Sequence, residues 1–196
     1  KDSHVMIGIL SHIVEFRNSE SAQHVLQVQT VTEMLLRKLT EKTDVYGLTE
    51  DKIRLITTAS ALHDIGKISI PEHILKKTSG LTPEEYTIMK THVENSIKMI
   101  RYLPNMDYVI PAVVAHHERY DGTGYPRGLK GTEIPLMGRI LTIADCFDAM
   151  TARRPYKQER SIDYAAGELK KNSGTQFDPE LVPVFLSLIE DGKIAG

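Results

Sequence analysis

Two stretches of this chain carry residue types that could do chemistry: His63-Asp64, and His116-His117-Glu118-Arg119-Tyr120-Asp121-Gly122-Thr123-Gly124-Tyr125-Pro126. Adjacent histidines, a His-Asp pair and a glycine-rich loop are hard to explain as packing. They make sense if several imidazoles and carboxylates converge on metal ions. Mixed imidazole and carboxylate ligation without thiolate suits iron, manganese, zinc or similar ions and excludes a structural zinc finger. Two or more ions roughly 3.5–4 Å apart are a standard device for activating water and clamping a phosphodiester. The residues therefore point to a metal-dependent hydrolase.

The elements that must position these groups read as helical nearly throughout. Met6, Ile9, Leu10, Ile13 and Phe16 form one stripe at three-to-four spacing, and Val28, Val31, Leu35 and Leu39 another. Thr49 followed by Glu50 and Asp51 predicts a helix start leading through Ile53, Ile56 and Ala59 to His63. Thr82-Pro83-Glu84-Glu85 fits a capping box opening a helix that runs to about Ile100. Further helices are expected near 107–118, 136–151, 161–171 and 179–190. No run alternates as a strand does. Gly122, Gly124, Gly128 and Gly131 fall in one long loop, and a loop of that length in a compact domain is more often functional than idle.

Placed on these helices, ionisable side chains recur on faces that the spacing assigns to the core. His24 shares a face with Glu20, Val28 and Val31, and His63 lies over Ile56 and Ala59. His92 is expected over Ile88, Met89 and Met99, and Asp145 among Gly138, Leu141 and Ala149. A buried carboxylate without a partner costs several kcal/mol or is neutralised. Apart from Lys67, no lysine or arginine stands one helical turn from Asp64 or Asp145 on an evident buried face. Metal ions would answer for all of these groups at once, and Glu20, His24, His63, Asp64, His92, His116, His117 and Asp145 exceed what one ion needs.

Each piece alone has a plainer explanation. A single histidine on an apolar face is usually a hydrogen-bonded core residue, so His4, His12 and His73 are assigned nothing. Asp145 alone could cap a helix, Glu20 could be a solvated first-turn acid, and glycine clusters mostly make turns. The Met6–Phe16 stripe suits packing or a dimer seam. Their joint occurrence favours metal.

Composition is consistent with this. The 196 residues are 41% hydrophobic and 26% charged, ordinary for one globular domain with a real core. A net charge of −2 gives no sign of a nucleic-acid coat, so an anionic substrate must be held by local charge or metal. The one cysteine, Cys146, forms no intrachain disulfide and suits a reducing compartment. No apolar run is long enough to span a bilayer.

In order along the chain, His63-Asp64-Ile65-Gly66-Lys67, Ile70-Pro71, Leu81-Thr82-Pro83-Glu84-Glu85, His92, His116-His117-Glu118, Asp121–Pro126, Ile143-Ala144-Asp145, Arg154-Pro155-Tyr156-Lys157 and Phe177-Asp178-Pro179 resemble the HD-GYP domains. The resemblance runs from about Glu20 to Phe185. It implies an all-α, HD-domain-like helical bundle with a long glycine-rich loop. It also implies a phosphodiesterase of bacterial cytoplasm that hydrolyses cyclic di-GMP to the linear dinucleotide or GMP in second-messenger signalling. The implied ligands are His24, His63, Asp64, His92, His116, His117 and Asp145, with Asp64 between two ions and Glu20 available for a third. Iron and manganese come first for these two or three divalent ions. Lys67 would touch a substrate phosphate, Arg154 and Lys157 would grip the substrate, and Tyr125 belongs to the signature loop that shapes the site. Activated water would attack phosphorus in line with the leaving ribose oxygen, with Asp64 and Lys67 as the residues closest to catalysis.

Three departures stand out. Ser96 occupies a position where glycine is usual and Gly138 one where alanine is common, both small-for-small swaps expected to leave the site intact, and Thr78-Ser79-Gly80 lacks the usual proline before its glycine. Residues 1–19 are expected to be an N-terminal helix linking an upstream sensor or receiver domain, or pairing two protomers, and 20–196 the catalytic domain. Mixed cyclic GMP-AMP, another nucleotide phosphate ester, and binding without turnover stand as alternatives.

Overall fold

The computed structural model describes residues 22–77, 79–102, 106–107, 109–151 and 160–194, with side chains from residue 25 onward. Among them the fold is all-α, as expected, with no strand beyond an isolated bridge between Ser173 and Phe177. The stripe at Met6–Phe16 and the segment 1–19 lie outside the described residues.

Helix α1 (Ala22–Lys42) buries Val28, Val31, Leu35 and Leu39, the stripe that periodicity assigned to the core. It packs on α2 (Glu50–Leu62) and on two helices from the far end of the chain, introduced below. The Thr49 side chain accepts from the Lys52 N–H and caps α2, with Glu50 and Asp51 favourably placed in its first turn. A 3-10 turn (Ile65–Ser69) and the short α3 (Glu72–Leu75) lead to α4 (Pro83–Ile100). The capping box is present in full: the Thr82 hydroxyl accepts from the Glu85 N–H and the Glu85 carboxylate from the Thr82 N–H.

The core face of α4 differs from the expected one. Met89, His92, Val93, Ser96 and Ile100 turn inward, whereas Ile88 and Met99 are 40% and 37% exposed. The hydrophobic reading followed the largest apolar residues. The actual stripe passes through a serine and a histidine because they are satisfied inside.

Helix α5 (Val109–Ala115) stops before His116, short of the expected 118. Successive residues on a helix point about 100° apart, so His116 and His117 can face one point only where the helix ends. The chain resumes after the glycine loop in α6 (Leu136–Thr151), α7 (Ile162–Lys171) and α8 (Leu181–Glu190). Helices α6 and α8 both pack on α1. Gly138 is not an idle replacement for alanine. A Cβ there would lie 2.6 Å from that of Ala115, so this glycine lets α6 approach α5.

Two apolar clusters result. One joins α1, α2, α6, α7 and α8 around Leu35, Phe147 and Phe185. The smaller gathers Leu62, Ile65, Ile100, Val109, Val113 and Leu141. Among the described residues no helix is long and apolar enough to cross a membrane.

Candidate metal centre

The donors come from four places: the end of α2, the inward face of α4, the turn after α5, and α6. Three of the histidines are oriented the same way. His63 Nδ1 lies 2.5 Å from the Ser60 carbonyl, His92 Nδ1 2.7 Å from that of Met89, and His116 Nδ1 2.7 Å from that of Val113. A carbonyl can only accept, so Nδ1 carries the proton in all three. Nε2 is turned toward the cluster, and the bond at Nδ1 fixes the ring and leaves Nε2 prepared as a ligand atom.

Two donor sets result, and Asp64 belongs to both. Ligand atoms of Asp64, His92, His116 and His117 lie within 4.8 Å of one another, as do those of His63, Asp64 and Asp145. That spacing is close to that of atoms sharing one ion at bonds of about 2.0–2.2 Å. His116 Nε2 is 3.3 Å and His92 Nε2 3.4 Å from Asp64 Oδ1, while His63 Nε2 is 3.0 Å from Asp64 Oδ2 and 3.2 Å from Asp145 Oδ1. His92 Nε2 and His117 Nε2 approach to 2.9 Å. Since His92 is protonated at Nδ1, its Nε2 lone pair faces a second imidazole nitrogen and a carboxylate, a point that asks for a cation.

The electrostatics say the same. Burial works against charge on both carboxylates, yet His63 holds Asp64 and Asp145 below the usual carboxylate range, with Lys67 helping. Burial likewise opposes charge on His63, but the two aspartates outweigh it and hold its imidazolium well above the ordinary histidine range. A proton on His63 Nε2 and a divalent cation answer the same need, two carboxylates facing one point. Burial, then neighbouring charge, keeps His117 well below its usual range, and burial lowers His116, which favours the neutral imidazole that a metal would require. The donor set fits metal: imidazole and carboxylate converge in a buried site without thiolate. Cys146, beside Asp145, is no exception, for burial pushes its thiol up to about 12.

The backbone holds this geometry at close range. A Cβ on Gly66 would lie 1.9 Å from the His92 carbonyl, so only glycine lets the turn carrying Asp64 meet α4. Ser96 locks the contact: its Oγ accepts from the Gly66 N–H at 2.7 Å and donates to the His92 carbonyl at 2.8 Å. Sequence reasoning treated Ser96 as a neutral swap, but here it fastens two donor-bearing segments. Thr142 Oγ1 lies 2.8 Å from the His116 carbonyl and pins that segment to α6.

The glycine loop folds back on the site. A Cβ on Gly124 would come within 2.5 Å of both the Arg119 nitrogen and the His117 carbonyl. The Tyr125 N–H donates to that carbonyl at 3.2 Å, and the Tyr125 ring stacks on His117 at 4.8 Å and 13°. Burial keeps the Tyr125 phenol protonated, well above its usual range. Glu118, which sequence reasoning left without a role, is buried and accepts from the Arg127 N–H at 2.8 Å and the Leu129 N–H at 3.0 Å. Its place in the His-His-Glu run was the available signal. The loop is also tied to the segment after α7, through Tyr120 N–H to Gln176 and Asp121 N–H to Thr175.

His63, Asp64, His92, His116, His117 and Asp145 thus come together, with Lys67 Nζ 3.1 Å from Asp64 Oδ2 and Tyr125 at the margin. Glu20, Arg154 and Lys157 lie outside the described residues, and of His24 only the backbone, in the first turn of α1, is described.

The comparisons agree with the motifs. Residues 5–181 match the family described as the HD domain. The chain belongs to this family and, within it, to the HD-GYP group. It is 40% identical over 93% of its length to a cyclic di-GMP phosphodiesterase of Thermotoga maritima, covering 48% of that protein. It is 39% identical over 90% of its length to a 3'3'-cGAMP-specific phosphodiesterase of Vibrio cholerae, covering 33% of that protein. The chain therefore spans a third to a half of these relatives. A crystal structure of a cyclic GMP-AMP-specific phosphodiesterase from V. cholerae superposes with a TM-score of 0.72 at 22% identity. That match covers 97% of this chain and 49% of the other, a likeness of fold.

Proposed function

We propose that this chain is a metal-dependent phosphodiesterase that opens cyclic di-GMP to the linear dinucleotide, with GMP as the product of a second cut. The observation that carries it is the pair of donor sets sharing Asp64, with Lys67 on the same carboxylate. Asp64 with His92, His116 and His117 would hold one ion, and Asp64 with His63 and Asp145 another. His24 would complete the set, and Glu20 would serve a third ion. Iron or manganese suits this donor chemistry. When bound, the ions neutralise phosphoryl charge and lower the pKa of water.

The residues do the rest. Three Nδ1–carbonyl hydrogen bonds aim the imidazoles before anything binds, and the buried floor excludes bulk water. Lys67 supplies positive charge to a phosphate as negative charge grows on it, and Arg154 and Lys157 would grip the substrate from outside the described residues. Water adds to phosphorus, the bond from phosphorus to the ribose 3′-oxygen breaks, and that oxygen leaves with a proton. Tyr125, stacked on His117, would line the entry.

Mixed cyclic GMP-AMP is the second reading, favoured by the nearly equal identity to a relative that bears that name. Residues 20–196 would be the catalytic unit of a longer bacterial cytoplasmic protein. Residues 1–19 would then lead from a sensor or receiver domain or pair two copies. The test is anaerobic incubation of metal-reconstituted protein with cyclic di-GMP or cyclic GMP-AMP, with H63A/D64A protein as blank. Linear product from the native chain alone is the expected result. No product from either substrate at confirmed metal occupancy overturns the proposal.

A further inference from the structure

One aromatic group beside the donors has no part in the chemistry above. Tyr86 and Lys90 stand one turn apart on α4 and so share a face. The Tyr86 ring meets that of Tyr125 edge to face at 6.1 Å and 85°, and Tyr125 in turn stacks on His117. The Lys90 ammonium lies 5.0 Å from the Tyr86 centroid and 5.9 Å from that of Tyr125. Tyr86 is 46% exposed, although a ring of that size on a helix with an apolar core gains more by burial. It is held instead at the rim, by ring contacts that lead straight to the donor cluster. Among the described residues, Lys90 sits over rings rather than on a carboxylate.

We infer that Tyr86 and Lys90 form a guanine subsite: the exposed Tyr86 ring stacks on one base of the cyclic dinucleotide, and Lys90 donates to that base's O6/N7 edge. This rests on the phosphodiesterase reading and adds which residues choose the base. Stacking on an aromatic ring accepts any base, because every base has a π-face. Selection falls to Lys90. Its ammonium only donates, which suits the two acceptors of guanine and opposes the N6 donor of adenine. The ring contacts run from Tyr86 to Tyr125 at 6.1 Å and from Tyr125 to His117 at 4.8 Å, so a base seated there adjoins the donor cluster. Cyclic di-GMP and cyclic GMP-AMP each offer a guanine, and cyclic di-AMP offers none.

The test pairs binding with turnover on the metal-loaded chain. Phosphorothioate analogues of cyclic di-GMP and cyclic di-AMP are titrated calorimetrically against wild type, Y86A, Y86F and K90M, and KM and kcat are measured on cyclic di-GMP. Y86A is expected to weaken analogue binding and raise KM about tenfold or more, as loss of a base stack does. Its kcat should change far less, and Y86F should bind close to wild type. K90M should shrink the preference for guanine over adenine by about tenfold. The inference is overturned if Y86A binds as wild type does, if its loss lies in kcat alone, or if Y86F fails as badly as Y86A. An unchanged base preference in K90M overturns the selection half. Wild-type binding that depends on Tyr86 without turnover breaks the phosphodiesterase reading and supports the subsite, whereas no binding by wild type overturns both.

Discussion

The cluster around Leu35, Phe147 and Phe185 and the cluster around Asp64 are both buried, yet they are built on opposite terms. The first is apolar and redundant: each side chain touches several others, and what holds it is area removed from water. The second packs His63, Asp64, His92 and His116 into the interior, where burial opposes the charges on His63 and Asp64. Nothing in its composition would make it fold by itself. It keeps its shape because Gly66, Ser96, Thr142 and three backbone carbonyls fix it from outside. The fold's stability thus comes from one region and its chemistry from another, and α6, which carries both Phe147 and Asp145, joins the two.

The contrast is tested most strongly at Asp64. D64N should abolish turnover, and it should remove the rise in Tm that metal gives the native chain, since a ligand binding only the folded state stabilises by about 2.7 kcal/mol at a hundredfold excess over Kd. Scanning calorimetry with and without chelator reads this directly; a D64N chain that still gains stability from metal would separate Asp64 from the donors. F185A should do the reverse. It removes the ring packed on Phe147 at 5.0 Å and should cost about 3–5 kcal/mol in denaturant unfolding, while the folded fraction keeps its metal response.

S96A probes the frame that holds the donors. It leaves the Gly66 N–H without its acceptor, an expected loss of about 1–3 kcal/mol. Because that bond sets Asp64 against His92, metal affinity should fall with stability, whereas F185A should spare it. The smallest effect belongs to the start of α4. Lys77 holds the Glu85 carboxyl down to about 2 from its ordinary 4.5. A depressed pKa stabilises the folded state above the ordinary value, and that stabilisation is lost as pH falls toward the depressed one. The Tm of wild type should therefore exceed that of E85Q at neutral pH, and the gap should close between about pH 4.5 and 2.

Sequence patterns reached the two regions unequally. The α1 stripe, the Thr49 cap, the capping box at Thr82 and the span of α6 follow from local rules and are present. The six donor residues that the structure gathers were also readable, because ionisable groups on apolar faces are conspicuous. Tertiary contacts were not. Periodicity put Ile88 and Met99 inward because it weighs hydrophobicity and cannot see that Ser96 and His92 find partners across the gap. It ran α5 past Ala115 because a helix end set by the need to aim two histidines leaves no capping signature. Gly138 reads as interchangeable with alanine in the sequence, because the Ala115 side chain that a Cβ there would meet comes from another helix.

The anchor at Glu118 has a consequence for how such loops can vary. Its carboxylate reads the backbone amides of residues 127 and 129, not their side chains. Any residue with an N–H can stand at either position without loosening the loop, and proline is the one residue excluded at both. The loop is therefore a fixed frame with a replaceable exterior, so descendants of this chain could alter what the rim meets while inheriting the centre unchanged.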